Sequence, residues 1–344
     1  MKLKPFQFGV LQEQDIQWML SQGKQHKLAV GDVLIAEGTY INHIHFILQG
    51  SLSVLLSQRS ETSQNNFDQE ISIIQPIEIL GEISFLDQLP TSATVKAVEN
   101  TLILSLSNQQ LLSKLNHDLD FASRFYHSLC ILLSERLRTV NSLFIKHQIL
   151  SSPPLRKVLF IFAVLDDLDI DWILNTGKVV KYPPGEVLIQ QQEVVDSFYI
   201  LLQGKLVVSI ESIDNQENCN QELAQLSQGE ILGEMSFVNT GIASATVKTA
   251  TESSLLSISQ HKLRVKLKQD TSFAKRFYQA ITVVITDRLR ARMVSIGFSQ
   301  TAYLNNQFSL ESIDEDELDL DTLDNTALAA TRFDWLLKQV NIGY

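Results

Sequence analysis

The chain states its landmarks twice. Asp15-Ile16-Gln17-Trp18-Met19-Leu20 recurs as Asp169-Ile170-Asp171-Trp172-Ile173-Leu174, and Gly31-Asp32-Val33-Leu34-Ile35 as Gly185-Glu186-Val187-Leu188-Ile189, both at an offset of 154. Leu48-Gln49-Gly50 and Leu202-Gln203-Gly204 keep that offset, but Gly81-Glu82 and Gly233-Glu234 stand 152 apart. The later pairs keep 152: Ser92-Ala93-Thr94-Val95 with Ser244-Ala245-Thr246-Val247, and Phe121-Ala122-Ser123-Arg124-Phe125-Tyr126 with Phe273-Ala274-Lys275-Arg276-Phe277-Tyr278. The lost pair of residues falls in the polar stretches 58–69 and 214–221, which read as hairpin loops where length changes cost little. Such a repeat means two copies of one folded unit, and 344 residues suit two ordinary domains plus an extension.

Each copy has the same grammar: a short helix, a run of short strands, then a long helix. In the first copy, residues 44–48, 52–56, 71–74, 95–98 and 102–106 have strand composition, punctuated by Gly31, Gly38 and Gly50. From 109 to 140, Leu112, Leu115, Leu119, Ala122, Phe125, Leu129, Leu132 and Leu133 recur at helical spacing, predicting one long amphipathic helix. Ser151-Ser152-Pro153-Pro154 ends it, and the apolar segment 158–165 starts the second copy. The expected fold class is mainly β with α: two tandem jelly-roll-like β-rolls, each flanked by helices. Their expected bounds are 1–150 and 151–300, with an acidic tail at 301–344 carrying a short helix.

Composition narrows the function classes. No apolar run approaches the roughly 20 residues that span a bilayer. The opening Met1-Lys2-Leu3-Lys4-Pro5-Phe6 leads into Gln12, Glu13 and Gln14 with no sustained apolar region, so neither a secretory leader nor membrane insertion is expected. The two cysteines, Cys130 and Cys219, sit one in each copy, which fits a reducing cytoplasm. Net charge is −11, of which 300–344 supplies −7, an unfavourable field for nucleic acid. The basic segment His261 to Lys268 is interleaved with apolar residues like a helix with one solvated face, and no helix-turn-helix pattern follows Met293. His43 and His45 alternate onto one strand face but lack further ligands, so they are expected as a solvent-facing pair and no metal site is expected. No nucleophile elbow, zinc-protease helix, P-loop or dinucleotide fingerprint is present, and no catalytic role is expected.

The ordered set of Gly-x-Val-Leu-Ile, Leu-x-Gly, Gly-Glu and Ser-Ala-Thr-Val, found twice over 10–140 and 165–294, resembles the cyclic-nucleotide-binding domain family. The resemblance implies a β-roll with a phosphate-binding cassette, normally Phe-Gly-Glu-Leu-Ala and, after a short helix, Arg-Ala-Ala-Thr-Val. Here the first cassette holds Gly81, Glu82, Ile83, Ser84, Thr91, Ser92 and Ala93 at those positions. The second holds Gly233, Glu234, Met235, Ser236, Ala243, Ser244 and Ala245. Both cassettes keep full length, yet the family's arginine is Thr91 in one and Ala243 in the other. Losing that charged fork weakens phosphate binding by about 2–4 kcal/mol, roughly 30- to 1000-fold. By the resemblance Glu82 and Glu234 would take a ribose hydroxyl. A carboxylate at a helix start is also stabilised by the helix dipole alone. A bound cyclic nucleotide is therefore doubtful, and no other cofactor is expected.

The tail holds eight acidic and no basic residues from 311 to 324, then Leu328, Phe333, Trp335, Leu336, Leu337 and Val340 at helical spacing. Phe333, Trp335, Leu336 and Leu337 are candidate partner-docking residues, with folding back onto the second roll as the alternative. The phrases Phe-Ala-x-Arg-Phe-Tyr and Asp287-Arg288-Leu289-Arg290 look similar to cyanobacterial accessory proteins of peptide export. That resemblance implies a secretion-linked protein partner. The sequence thus points to a cytoplasmic, non-enzymatic regulator or scaffold acting through protein–protein contacts; a small-anion or cyclic-nucleotide sensor with a non-standard pocket is the alternative. Homo-oligomerisation through the helices at 109–140 and 262–293 stays open.

Overall fold

A computed structural model describes residues 10–59, 66–76, 78–147, 159–214, 217–238, 241–295 and 320–342. The first repeat runs α1 (Glu13–Gln22), β1 (Lys24–Leu28), β2 (Val33–Ile35), β3 (His43–Gln49), β4 (Leu52–Arg59), β5 (Asn66–Ile74), β6 (Ile79–Leu80), α2 (Glu82–Asp87), β7 (Thr94–Ala97), β8 (Thr101–Ser107), α3 (Asn108–His117) and α4 (Leu119–His147). The second runs α5 (Phe160–Val164), α6 (Asp167–Thr176), β9 (Lys178–Tyr182), β10 (Val187–Ile189), β11 (Ser197–Gln203), β12 (Leu206–Asp214), β13 (Glu217–Leu226), β14 (Ile231–Leu232), α7 (Glu234–Val238), β15 (Thr246–Thr249), β16 (Ser253–Ser259), α8 (Gln260–Gln269) and α9 (Thr271–Ser295). Helix α10 (Leu320–Gln339) follows. The expected boundary segment 151–154 and the acidic stretch up to residue 319 lie outside the described residues.

Each roll is two four-stranded antiparallel sheets. In the first, β1-β8-β3-β6 faces β2-β7-β4-β5, and the second repeats this as β9-β16-β11-β14 and β10-β15-β12-β13. Alternation along the strands turns Ile35, Ile47, Leu52, Ile74, Leu80, Val95 and Ile103 from both sheets into one core. Ile189, Leu201, Leu206, Leu226, Leu232, Val247 and Leu255 do the same in the second roll. The expected tandem β-rolls are thus present. Strands β1 and β9, rich in lysine, were not legible from composition; they are recruited as edge partners of β8 and β16.

The single helix expected at 109–140 is two. At Asp118 the backbone turns extended (φ −131°, ψ 95°), and its carboxylate accepts from Phe121 N at 2.9 Å, capping α4. Asp270 does the same for α9, accepting from Phe273 N at 2.9 Å. Lys114 and Lys266 each bond the capping carboxylate at 2.7 Å, which holds both carboxyls below their ordinary range. Of the residues expected on the inward face, Leu115, Ala122, Phe125, Leu129, Leu132 and Leu133 are buried, but Leu112 and Leu119, on either side of the corner, are exposed.

The repeated Asp-Ile-x-Trp and Phe-Ala-x-Arg-Phe-Tyr phrases meet each other. Arg124 of α4 forks onto Asp15 of α1, Nε to Oδ2 at 2.7 Å and Nη2 to Oδ1 at 2.8 Å, while Trp18 packs edge-on against Phe121 at 5.2 Å. Arg276 forks onto Asp169 with Nη2 to Oδ1 at 2.9 Å, and Trp172 meets Phe273 at 5.3 Å. Both aspartates are 3% exposed or less, so each fork neutralises a carboxylate that burial would otherwise make costly.

The compact units do not follow the repeat. One comprises Met1–Leu129, Leu150–Pro154 and Thr286–Asp316; the other comprises Cys130–Ile149, Leu155–Ile285 and Glu317–Tyr344. The distal part of α4, with buried Cys130, Leu133 and Leu137, belongs to the second unit, where the Cys130 thiol donates to Tyr278 O at 3.3 Å. In the same unit, α10 packs against α5 and α6. Phe333 lies 5.1 Å from the Phe162 ring, and Arg332 donates to the α5 terminal carbonyls Phe162 O and Leu165 O at 3.0 and 2.7 Å. Among the described residues no helix is long and apolar enough to cross a membrane.

Arg124→Ala leaves Asp15 buried without its counter-charge and should lower stability by about 3 kcal/mol. Asp15→Leu combined with Arg124→Met should recover most of that loss. Urea unfolding of the three proteins measures both; equal loss in the single and double variants would contradict this account of the fork.

Candidate functional site

Both cassettes open on a glycine with left-handed backbone, Gly81 at φ 80° and Gly233 at φ 86°. A side chain at Gly233 would also place its Cβ 2.6 Å from Ser197 O. Each glycine leads into a short helix, α2 or α7, whose first residue is Glu82 or Glu234. Both carboxylates are buried and engaged within the fold.

In the first cassette the family's arginine position is occupied by a satisfied hydroxyl. Thr91 Oγ1 donates to Ala36 O at 2.6 Å and accepts from Thr39 N at 3.1 Å, while Thr91 N donates to Thr39 O at 2.9 Å. The cassette is thereby tied to the loop after β2. At the end of α2, Asp87 receives Arg290 of α9 as a two-pronged pair, with Nη2 to Oδ1 at 2.9 Å and Nε on Oδ2, and Arg290 Nη1 donates to Pro90 O at 3.0 Å. Asp87, Pro90 and Arg290 all belong to the first unit. Arg290 is 6% exposed and Asp87 10%, so this is a nearly dry ion pair inside the cassette.

The second cassette differs. Ala243 offers only backbone bonds, its N to Glu193 O at 2.8 Å and its O from Gln192 N at 2.9 Å. Around it is a pocket of about 290 Å³ lined by Arg138, Asn141, Gln191, Gln192, Ile210, Ile242, Ala243 and Ser244, all in the second unit. Arg138 Nη2 reaches Ile242 O at 3.4 Å, and Ser244 Oγ lies 3.7 Å from Met235 Sδ. Arg138 Nε and Asn141 Oδ1 are buried with no hydrogen-bond partner among the described residues. Partial burial lowers the pKa of Arg138 from its ordinary value, only partly offset by Glu135.

Of the residues expected at these sites, Ala243 and Ser244 line the pocket, with Met235 beside Ser244. Ser84, Thr91 and Ser236 are buried, and Ile83, Ser92, Ala93 and Ala245 are half-buried. Asp87, Arg138, Asn141 and Arg290 were missed as site residues. Their signal was in the register, since Arg138 and Arg290 stand 152 apart, the offset of the cassettes themselves. The tail residues Phe333, Leu336 and Leu337 are buried within the second unit, and of the four candidates Trp335 alone is exposed, at 38%.

The histidine pair is not solvent-facing as expected. His43 is exposed, but His45 is buried, with Nδ1 2.8 Å from Oγ of its cross-strand neighbour Ser105. No cluster of three or more metal-ligating side chains exists among the described residues. In the 261–268 segment His261, Lys262 and Lys268 are exposed, while two basic residues make contacts within the fold. Lys266 pairs with Asp270, and Arg264 lies over the Phe237 ring at 5.0 Å.

The sequence matches the family described as Cyclic nucleotide-binding domain at residues 25–118 and 179–270. It is similar to the cAMP-dependent protein kinase type II regulatory subunit of Drosophila melanogaster, 22% identical over 241 residues, covering 70% of this chain and 53% of the relative. It is also similar to the cAMP-activated global transcriptional regulator CRP of Salmonella typhimurium, 30% identical over 99 residues, 28% of this chain and 46% of that one. The chain spans about half the length of these two relatives. Among solved structures, the regulatory domain of Toxoplasma gondii PKA with cAMP aligns at 18% identity and TM-score 0.29, covering 76% of this chain and 87% of that one.

Burial, then the charges of His43 and His26, lower the His45 pKa from 6.5 to about 4. The unfolded chain therefore takes up the proton first, and stability falls as pH drops from 6.5 toward 4, by about 2 kcal/mol at pH 5. His45→Asn should flatten that window. Urea midpoints at pH 7 and pH 5 test this, and an unchanged slope would remove His45 as its source.

Proposed function

Because the chain belongs to the cyclic nucleotide-binding domain family, we propose that it is a non-enzymatic regulatory protein acting through a protein partner, with its first roll a fixed body rather than a ligand switch. The observation that carries this reading is the state of the first cassette. Thr91 is consumed by backbone groups and Arg290 by Asp87, so at these two positions no free cation is offered to a phosphate. Opening it would expose two buried, oppositely charged groups, which costs several kcal/mol before any ligand contact forms.

The relatives supply the class of role, since those reported include a kinase regulatory subunit and a transcriptional regulator. The partner remains a protein by this reading, and the repeated phrases favour a peptide-export or secretion assembly. Those phrases also have a structural use, because Arg124 and Arg276 close the buried forks and Arg290 closes the first cassette. Trp335 on α10 is the aromatic left for a partner to meet, and a partner engaging Phe333, Leu336 or Leu337 must first displace α10 from α5 and α6.

Titration calorimetry with cyclic AMP and cyclic GMP up to millimolar concentration tests the unequal status of the rolls. The expected stoichiometry is at most one ligand per chain. Two equivalent sites would overturn the reading, because the second could only be the first cassette.

A further inference from the structure

The two repeats differ in some places and agree in others. Near the cassettes, at an offset of 152, Asp87 corresponds to Asn239 and Asn141 to Met293. At the openings of the repeats, at an offset of 154, the agreement is close. Phe6-Gln7-Phe8-Gly9-Val10-Leu11 stands against Phe160-Ile161-Phe162-Ala163-Val164-Leu165, identical at four of six positions, and the acid Glu13 stands against Asp167.

In the second repeat that opening is a seat for a helix. Helix α10 buries Ala329, Phe333, Leu336 and Leu337, a stripe at i, i+4, i+7 and i+8, and packs on α5 and α6. Phe333 lies 5.1 Å from the Phe162 ring. Arg332 donates to Phe162 O and Leu165 O where α5 ends, and its Nε donates to Asp167 Oδ1 at 2.8 Å. The groups met in this way, Phe162, Leu165 and Asp167, have Phe8, Leu11 and Glu13 as their counterparts.

We propose that the opening of the first repeat, residues 6–16, is a second docking site for an amphipathic helix of the α10 type, filled by a protein partner. The sequence match is one support, and exposure is another. Ile16 of α1 is half-buried where its counterpart Ile170 of α6 is 1% exposed, and Leu11 is 9% exposed against 1% for Leu165. Glu13 is exposed and open to a cation, as Asp167 is outside its contact with Arg332. Phe6 and Phe8 lie outside the described residues.

The occupant follows from the occupied seat. The pattern Ala-x-x-Arg-Phe-x-x-Leu-Leu occurs once in the sequence, at 329–337, and that stretch is already docked on α5 and α6. A second copy of the chain fills the vacant seat only by emptying its own, which trades one contact for an equivalent one. A partner helix makes no such trade. It needs an aromatic and two leucines on one face, with an arginine beside the aromatic to meet Glu13. This site deepens the partner reading by naming the element that a partner inserts, and it rests on that reading for its use in regulation.

The test adds a synthetic peptide of residues 320–342 to the full chain. Fluorescence anisotropy should show one peptide bound per chain. With benzoylphenylalanine in place of Phe333 of the peptide, photo-crosslinking and mass spectrometry should place the bond within residues 6–20. Glu13→Arg combined with Ile16→Gln should weaken binding about 10-fold, and Arg332→Glu in the peptide should do the same. Glu13→Arg alone, at an exposed position that leaves the fold intact, should weaken it about threefold. The assignment is overturned if no peptide binds at millimolar concentration or if all three changes leave binding as in wild type. Crosslinks confined to 159–176 would mean exchange with the resident α10 and would also overturn it. Dimerisation of the full chain that Glu13→Arg abolishes would make a second copy the occupant and overturn the assignment to a partner. A failed peptide leaves the reading of the first roll as a fixed body standing, because that reading turns on how many cyclic nucleotides one chain binds.

Discussion

A buried carboxylate is tolerable only where a cation answers it, and in this protein that requirement sets the course of the longest helices. Asp15 and Asp169 sit almost fully out of water, and Arg124 and Arg276 reach them with two hydrogen bonds each. The fork fixes the start of α4 and of α9 against the opening helix of its own repeat.

Much of the fold was legible because it is periodic. Alternating Val, Leu and Ile between glycines marked β3, β4, β7 and β8, and the duplicated landmarks fixed two rolls before any geometry was known. Strands β1 and β9 escaped notice because Lys24, Lys27, Lys178 and Lys181 mask them, and what makes them strands is hydrogen bonding to β8 and β16. The corner at Asp118 was hidden for a different reason. A one-residue break with a side-chain cap leaves the apolar period intact, so composition alone carries through it.

At the cassettes the sequence disclosed an absence but not its remedy. Thr91 and Ala243 could be aligned with the missing arginine, yet nothing local revealed that α9 brings Arg290 to Asp87 and α4 brings Arg138 to Ala243. These contacts join residues about 100 to 200 positions apart, and only the packed units bring them together. His45 was misjudged similarly. Strand alternation placed it on a face with His43, but its cross-strand neighbour Ser105 lies 60 residues away and is set by the register of β3 with β8.

The pairing of Asp87 with Asn239, and of Met293 with Asn141, has a meaning that belongs to duplication itself. In an assembly of two identical chains every substitution appears at both sites, so one pocket cannot be sealed while its twin is left open. Joining the copies in a single polypeptide removes that symmetry. Each cassette is then free to change alone, and a carboxylate can be gained or lost on one side without any change to its counterpart.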